Sequence, residues 1–214
     1  KNFVYNPFSL LKFFSNRAFG DYWFQTGTPT FLMKLIKSNN YKVYELSGVE
    51  TDISIFDKYD MTSMQLLPLL FQTGYLTIKK IDPLTGRTIL DYPNKEVRKS
   101  FENYLFSAFS ENNLSYNRKF LNDITSSLNE NDIDKFIHRL KILFKGITYP
   151  LIDDKENYYH SVFYLVIKLL GFDIETEILT CDGRIDAVIK CGKYIYIIEF
   201  KLGSAQSALE QIHK

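Results

Sequence analysis

The chain has 214 residues, of which 45% are hydrophobic, so it is long enough for one large domain or two small ones with an apolar core. Its 26 Lys and Arg nearly balance its 25 Asp and Glu, and the formal net charge of +1 excludes a protein that is basic over its whole surface. Nucleic-acid binding would therefore need a local basic patch. No apolar run approaches the roughly 20 residues that span a bilayer, so we expect no membrane association.

The two ends of the chain and its two cysteines bear on its origin. The chain begins with Lys1 instead of Met, and residues 209–214 carry a helical pattern with no stop signal, so we expect a fragment of a longer protein. Cys181 and Cys191 fall at the two ends of one predicted strand. At about 3.3 Å per residue they lie roughly 30 Å apart, whereas a disulfide needs Cα atoms within about 7 Å. Free thiols and a cytoplasmic location are the resulting expectations.

Residues 1–55 predict a small helical region. Asn6 as the N-cap and Pro7 at the first helical position begin one helix. A second helix is predicted from Pro29 to about Lys37. The side chains of this second helix that we expect to face inward are Phe31, Leu32 and Leu35.

Residues 61–112 predict a helix, a β-hairpin and a second helix. Thr62 or Ser63 is the expected cap of the first helix, and Gly74 ends it. The hairpin turns at residues 82–86, and the second helix begins at Lys95. This order of elements is that of a winged-helix unit. Two interpretations stay open, a packing or linker domain and a partner-binding domain.

Two further helices are predicted within residues 118–147, joined by residues 127–132. We assign residues 1–150 to a mostly helical domain and residues 151–214 to a second domain. The second domain begins with a helix over 156–170. Three strands follow, at 174–180, 184–190 and 194–202, and then a helix from residue 204. The predicted fold class is therefore α+β.

The third strand of this region carries charge in an apolar setting. Glu199 and Lys201 are two residues apart and share a face, in a strand whose two apolar faces predict a central, doubly covered position. Buried charges need partners, and Asp186 on the neighbouring strand would lie beside Glu199 if the register allows. Two carboxylates supply the oxygen ligands that Mg²⁺ prefers, and Lys201 could orient a metal-activated water or offset charge in the transition state. The alternative is a solvated ion pair on an edge strand.

Three stretches of this region resemble the PD-(D/E)XK nuclease superfamily. They are Gly183-Arg184-Ile185-Asp186, Ile197-Ile198-Glu199-Phe200-Lys201-Leu202 and Ala208-Leu209-Glu210-Gln211-Ile212. More narrowly, they resemble the nuclease-like domain at the C-terminus of a family of AAA-type ATPases common in gut bacteria. Residues 5–11 and 27–32 are similar to the end of that family's ATPase-like region.

The resemblance implies metal-dependent phosphodiester cleavage on an αβββαβ core. Asp186 and Glu199 match its metal-binding acids and Lys201 its catalytic lysine, while Gln211 matches a helix residue beside the site or is simply solvated. The position of the superfamily's first-helix acid corresponds to Glu156, with Glu177 on the first strand as the competing choice, and the alternative for either residue is a plain surface position. The chain departs from the pattern because Ile185 replaces the usual Pro, the last core strand is missing, and no phosphate-binding Gly-Lys-Ser/Thr loop is present.

The predicted function is therefore a nuclease that depends on Mg²⁺ or Mn²⁺. Its expected partners are nucleic acid, DNA by preference, and an upstream ATPase domain that would supply any ATP binding. One rival is a non-catalytic module that binds nucleic acid or protein within an ATPase machine, and another is a structural fragment with no folded site. Four cations lie near the strands in sequence, and they either contact phosphates or are solvated residues at the hairpin ends. They are Arg184, Lys190, Lys193 and Lys201.

Overall fold

The computed structural model describes residues 6–20, 22, 30–39, 41–56, 65–110, 114–146, 155–180 and 183–200. The helices are α1 Pro7–Asn16, α2 Thr30–Ser38, α3 Leu66–Gln72, α4 Lys95–Ser110, α5 Leu114–Asn129, α6 Ile133–Gly146 and α7 Lys155–Leu169. The strands are β1 Val49–Asp52, β2 Thr77–Ile81, β3 Arg87–Asp91, β4 Asp173–Thr180, β5 Gly183–Cys191 and β6 Tyr194–Ile198. Helices combine with two antiparallel sheets, which confirms the α+β class.

The chain divides into two compact units. Unit 1 contains Lys1–Leu35 and Glu45–Tyr104, and unit 2 contains Ile36–Tyr44 and the chain from Leu105 onward. A short segment from the first quarter of the chain therefore belongs with the C-terminal elements. The boundary predicted near residue 150 falls in residues 147–154, outside the described ranges, and stays a prediction.

The helices of unit 1 follow the predicted capping chemistry in part. The Ser9 N–H donates to the Asn6 side chain at 3.0 Å, which confirms Asn6 as the N-cap of α1. The inward orientation predicted for Phe31 in α2 is wrong, because its side chain is 54% exposed. The buried face of α2 runs instead through Leu32, Met33 and Ile36, about 100° or more around the helix from Phe31.

The hairpin of unit 1 was predicted, but its third strand was not. The turn closes as expected, since Asp82 accepts hydrogen bonds from the Leu84 N–H and the Thr85 hydroxyl. Strand β1 pairs with β3, so the sheet order is β1-β3-β2. Helix α3 begins at Leu66 after Gln65, and the predicted caps Thr62 and Ser63 lie outside the described residues. The winged-helix-like interpretation stays a prediction.

Helix α7 is the centre of unit 2. Its residues from Val162 to Ile167 are all buried, so it is covered on every side instead of showing one apolar stripe. Gly171, at φ 80°, closes the helix as predicted. The stripe predicted for α6 is partly wrong, because Ile133 and Ile137 are exposed.

The sheet of unit 2 has the order β4-β5-β6 within the described residues, with both pairings antiparallel. The prediction of a central third strand over 194–202 is wrong for these residues, because β5 is central and β6 ends at Ile198. On β6, Ile195 is 68% and Ile197 49% exposed. The strand ends where it does because the Phe200 N–H donates to the side chain of Asp186 on β5 at 2.8 Å instead of to a backbone carbonyl.

Two further expectations concern the membrane and the cysteines. No helix within the described ranges combines the length and apolarity that crossing a bilayer requires. Cys191 is a free, buried thiol, and its burial raises its pKa. Cys181 lies outside the described residues.

Candidate functional site

Strand pairing aligns acidic positions across the sheet of unit 2. Glu177 of β4 falls opposite Asp186 of β5, because the pairs on either side of them are in register. Those pairs are Thr176 with Ala187 and Ile178 with Ile185. On the other side of β5, Ala187 pairs with Ile198. The pairing ends there, so Asp186 is the next residue of β5 and Glu199 is the first residue after β6.

Asp186 is buried, at 5% exposure, and its two carboxylate oxygens have different surroundings. Oδ2 accepts the hydrogen bond from the Phe200 N–H at 2.8 Å. Oδ1 lies 3.8 Å from Nη2 of Arg184. Asp186 therefore holds the chain immediately after β6 close to β5.

Glu177 interrupts β4 with a left-handed backbone. Its φ is 55°, where a residue with a Cβ atom costs roughly 1–2 kcal/mol. Its carboxylate lies 2.7 Å from Nη1 of Arg184 and 3.9 Å from Nδ1 of His160. A strained residue that contacts ionisable side chains is a reason to look for function at that position.

His160 of α7 lies between two aromatic rings. Its ring centroid is 4.1 Å from that of Tyr44 and 4.8 Å from that of Phe200, and both pairs are stacked. Burial lowers the pKa of His160 to about 4, and the positive charges of Lys42 and Arg184 act in the same direction, while Asp186 opposes them. The imidazole is therefore neutral near pH 7.

These side chains surround a cavity of about 200 Å³ within unit 2. Its lining residues are Lys42, Tyr44, Asn157, His160, Glu177, Arg184 and Asp186. Two of them come from the short segment Ile36–Tyr44, and the rest come from α7, β4 and β5. The cavity has charges of both signs on its wall, which suits a ligand that is itself polar.

The predicted site residues are only partly within the described structure. Asp186 lies in the cavity wall, and Glu199 follows β6 with its Oε2 buried. Lys201 and Gln211 lie outside the described residues. Glu156 belongs to α7, but its side chain is also outside them. Its competitor Glu177 lines the same cavity as Asp186.

Asp186 and Glu199 are of residue types that bind divalent metals, but the described side chains do not form a complete set of metal ligands. Carboxylate oxygens are the hard ligands that Mg²⁺ and Mn²⁺ prefer, and Mg²⁺ keeps several waters and needs only one or two carboxylates. Among the described side chains, no three His, Cys, Asp or Glu residues converge on one point that could hold a metal. Asp186 and Glu199 are thus a carboxylate pair that suits such an ion, and not a closed protein cage.

Four lining residues were not predicted as site residues: Lys42, Tyr44, Asn157 and His160. Lys42 and Tyr44 lie far from the C-terminal motifs in sequence, and nothing local links them to Asp186. Their place in the site is a property of the tertiary fold, which a single sequence without covariation does not reveal.

The C-terminal elements that carry this site have a recognisable family pattern. Residues 154–214 match the PD-(D/E)XK nuclease superfamily. The matched region contains α7, β4, β5 and β6, together with Asp186, Glu199 and Lys201. It excludes Lys42 and Tyr44.

Two other comparisons concern the whole chain. Over 219 aligned residues the chain is 33% identical to a protein of Azotobacter chroococcum mcd 1 described as "Uncharacterized protein in vnfD 5'region". The alignment covers 98% of this chain and 42% of that protein, so the chain spans less than half the length of this relative. No solved structure matches the chain.

Proposed function

We propose that this chain carries a metal-dependent nuclease that hydrolyses phosphodiester bonds of nucleic acid, DNA by preference, as part of an ATPase-linked protein. The observation that carries this proposal is the antiparallel pairing of β5 and β6, whose last pair is Ala187 with Ile198, so that Asp186 and Glu199 are the next residues of these two chain segments inside the region that matches the nuclease superfamily. Carboxylates from neighbouring chain segments are ligands that a divalent metal for hydrolysis can use.

Asp186 and Glu199 are the residues that would hold Mg²⁺ or Mn²⁺. Such an ion, when bound, lowers the pKa of a coordinated water and polarises a phosphoryl oxygen. The setting of Asp186 supports this role, because the Phe200 N–H already fixes its side chain, which need not be ordered on binding. A side chain that is already held in place loses little conformational entropy when it binds a metal.

Other side chains have supporting roles in the proposal. Lys201 offsets charge that develops on the phosphate, and Gln211 positions a water or the substrate from the helix that the sequence predicts at the end of the chain. Glu177 is the better choice than Glu156 for the third acid, because it lies opposite Asp186 in register and lines the same cavity. His160, neutral near pH 7, holds its place through the aromatic stack and adds no positive charge.

The link to an ATPase rests on different residues. Residues 5–11 and 27–32 resemble the end of an ATPase-like region, and the Azotobacter relative is more than twice as long as the aligned part. An upstream ATPase domain in the natural protein would account for both. The winged-helix-like residues 61–112 would then join the ATPase region to the nuclease.

The test is cleavage of single- and double-stranded DNA and RNA by the natural full-length protein, with Mg²⁺, with Mn²⁺ and with a chelator. Glu199→Gln and Lys201→Ala should each lower metal-dependent cutting at least 100-fold, a loss of about 2.7 kcal/mol or more. Glu175→Gln is the matched control, because this exposed acid of β4 pairs with Lys190 outside the cavity.

Cutting that needs metal and is lost in both site variants, but not in the control, would establish the enzyme. A folded wild-type protein that cuts none of the four substrates would overturn it. The non-catalytic binding module would then be the better assignment.

A further inference from the structure

We propose that Lys42, together with Arg184, binds a phosphate of the nucleic-acid strand, so that the site extends to a segment far upstream of the matched nuclease region. This inference rests on the proposed function, because it names a contact that the same substrate would make. Its evidence is separate, however, and comes from the segment Ile36–Tyr44 of unit 2.

The segment is fixed against α7 by several contacts. The Tyr44 hydroxyl donates to Oδ1 of Asn157 at 2.8 Å, and the Tyr44 ring stacks on His160. The Val43 N–H donates to the Ser161 hydroxyl at 3.4 Å, and the Val43 side chain is buried. Lys42 is therefore held at the cavity by an ordered backbone on its C-terminal side.

The cavity wall carries two acids, Glu177 and Asp186, and two cations, Lys42 and Arg184. Arg184 spans the two acids, at 2.7 Å from Glu177 and 3.8 Å from Asp186, yet its side chain is about half exposed. A guanidinium in that position can also face a phosphate oxygen, because it has five N–H donors.

A phosphodiester is negatively charged, so it is complementary to the two cations of this cavity. Its non-bridging oxygens would accept hydrogen bonds from Lys42 and Arg184, and Arg184 would keep its contacts with Glu177 and Asp186. The cavity of about 200 Å³ leaves room for several water molecules at about 30 Å³ each. A phosphate that displaces some of them gains charge-assisted hydrogen bonds in return.

The competing explanation for Lys42 is structural: its charge would only offset the buried acids. The two roles differ in a measurable way. A phosphate contact releases counterions from nucleic acid, so its loss lowers the slope of log affinity against log salt by about 0.9 for duplex DNA and about 0.7 for single strands. A structural counter-charge changes the melting temperature and leaves that slope unchanged.

The experiment is a salt titration of binding to labelled single- and double-stranded DNA by the full chain in a chelator, where no cutting occurs. Lys42→Gln and Arg184→Gln should each lower affinity several-fold at low salt and lower the slope by about 0.7–0.9, and Lys42→Arg should restore both. Lys141→Gln on the exposed face of α6 is the control and should change neither.

Each outcome decides something. An unchanged slope for a folded Lys42→Gln, with or without a lower melting temperature, would overturn the phosphate contact and leave the structural role. Absence of any binding by the wild type would overturn it as well. Cleavage assays test the nuclease proposal separately. If the wild type cuts DNA and Lys42→Gln leaves the salt slope unchanged, only the Lys42 contact is overturned. If the wild type binds through Lys42 but never cuts, only the nuclease proposal is overturned.

Discussion

Glu177 has an unfavourable backbone that its contacts must hold in place. Its φ of 55° is in the left-handed region, which only glycine adopts without steric cost. The contacts that hold it are the 2.7 Å ion pair with Arg184 and the approach of His160. Because that ion pair is partly exposed, it contributes only about 0–1 kcal/mol. The free-energy cost of the strained backbone and the stabilisation from the contacts are therefore of similar size at Glu177.

We predict that Glu177→Gly is more stable than Glu177→Ala by about 1 kcal/mol, measured by urea unfolding. Both variants lose the carboxylate, but only glycine relieves the strain. In an ordinary strand the order is reversed, since glycine is destabilising by roughly 0.5–1 kcal/mol relative to alanine. The reversed order should therefore be absent for Glu175, a neighbour on β4 without a positive φ, and its presence there would contradict the argument.

His160 makes stability depend on pH in a defined direction. Burial lowers its pKa in the folded state to about 4, below the ordinary value of 6.5. Between these values the unfolded chain binds the proton and the folded chain does not. The contribution of the neutral imidazole is therefore complete above pH 6.5 and is lost as pH falls toward 4, by about 3 kcal/mol in total.

We predict that His160→Phe, which keeps an aromatic ring between Tyr44 and Phe200, flattens the decline of unfolding free energy between pH 6.5 and 4. The same change at the exposed His138 is the control. Carboxylates titrate in this range too, so the measured quantity is the difference between variant and wild-type profiles. Parallel profiles for His160→Phe and wild type would contradict the assignment.

At the scale of helices, strands and turns, the features predicted correctly are those that depend on residues close together in the chain. The Asn6 cap, the turn at Asp82 and the helix ends at Gly74 and Gly171 all depend on residues within a few positions of one another. Their prediction was correct for that reason. The order of α7, β4, β5 and β6 was also readable, because the apolar period changes from helical to alternating.

The elements that were missed depend on distant partners. Strand β1 is Val-Glu-Thr-Asp, which is weakly apolar, and it becomes a strand by pairing with β3. The end of this strand was predicted at residue 202 because apolar residues alternate through Ile198, Phe200 and Leu202, whereas β6 ends at Ile198 and the Phe200 N–H donates to Asp186. Neither partner is adjacent in sequence. The same holds for the candidate site, where Asp186 was predicted from its motif and Lys42 was not.

At the scale of the whole molecule, residues early in the chain complete the C-terminal unit. The segment Ile36–Tyr44 belongs to unit 2, and its Tyr44 ring is buried against α7. Tyr44 also contacts Tyr164 edge-on, with centroids 6.2 Å apart, so one side chain touches two turns of the helix. A family boundary at residue 154 therefore does not coincide with a folding boundary.

We predict that Tyr44→Ala lowers the free energy of unfolding by about 3 kcal/mol, because it removes a buried aromatic ring, whereas Tyr44→Phe costs about 1 kcal/mol for the hydrogen bond to Asn157. Urea unfolding of the full chain measures both. If the two variants were equally stable, the ring would contribute nothing and the segment would not be packed on α7. A large difference would mean that the packing of the Tyr44 ring on α7 stabilises the unit that holds the candidate site, although the ring lies far from the matched region in sequence.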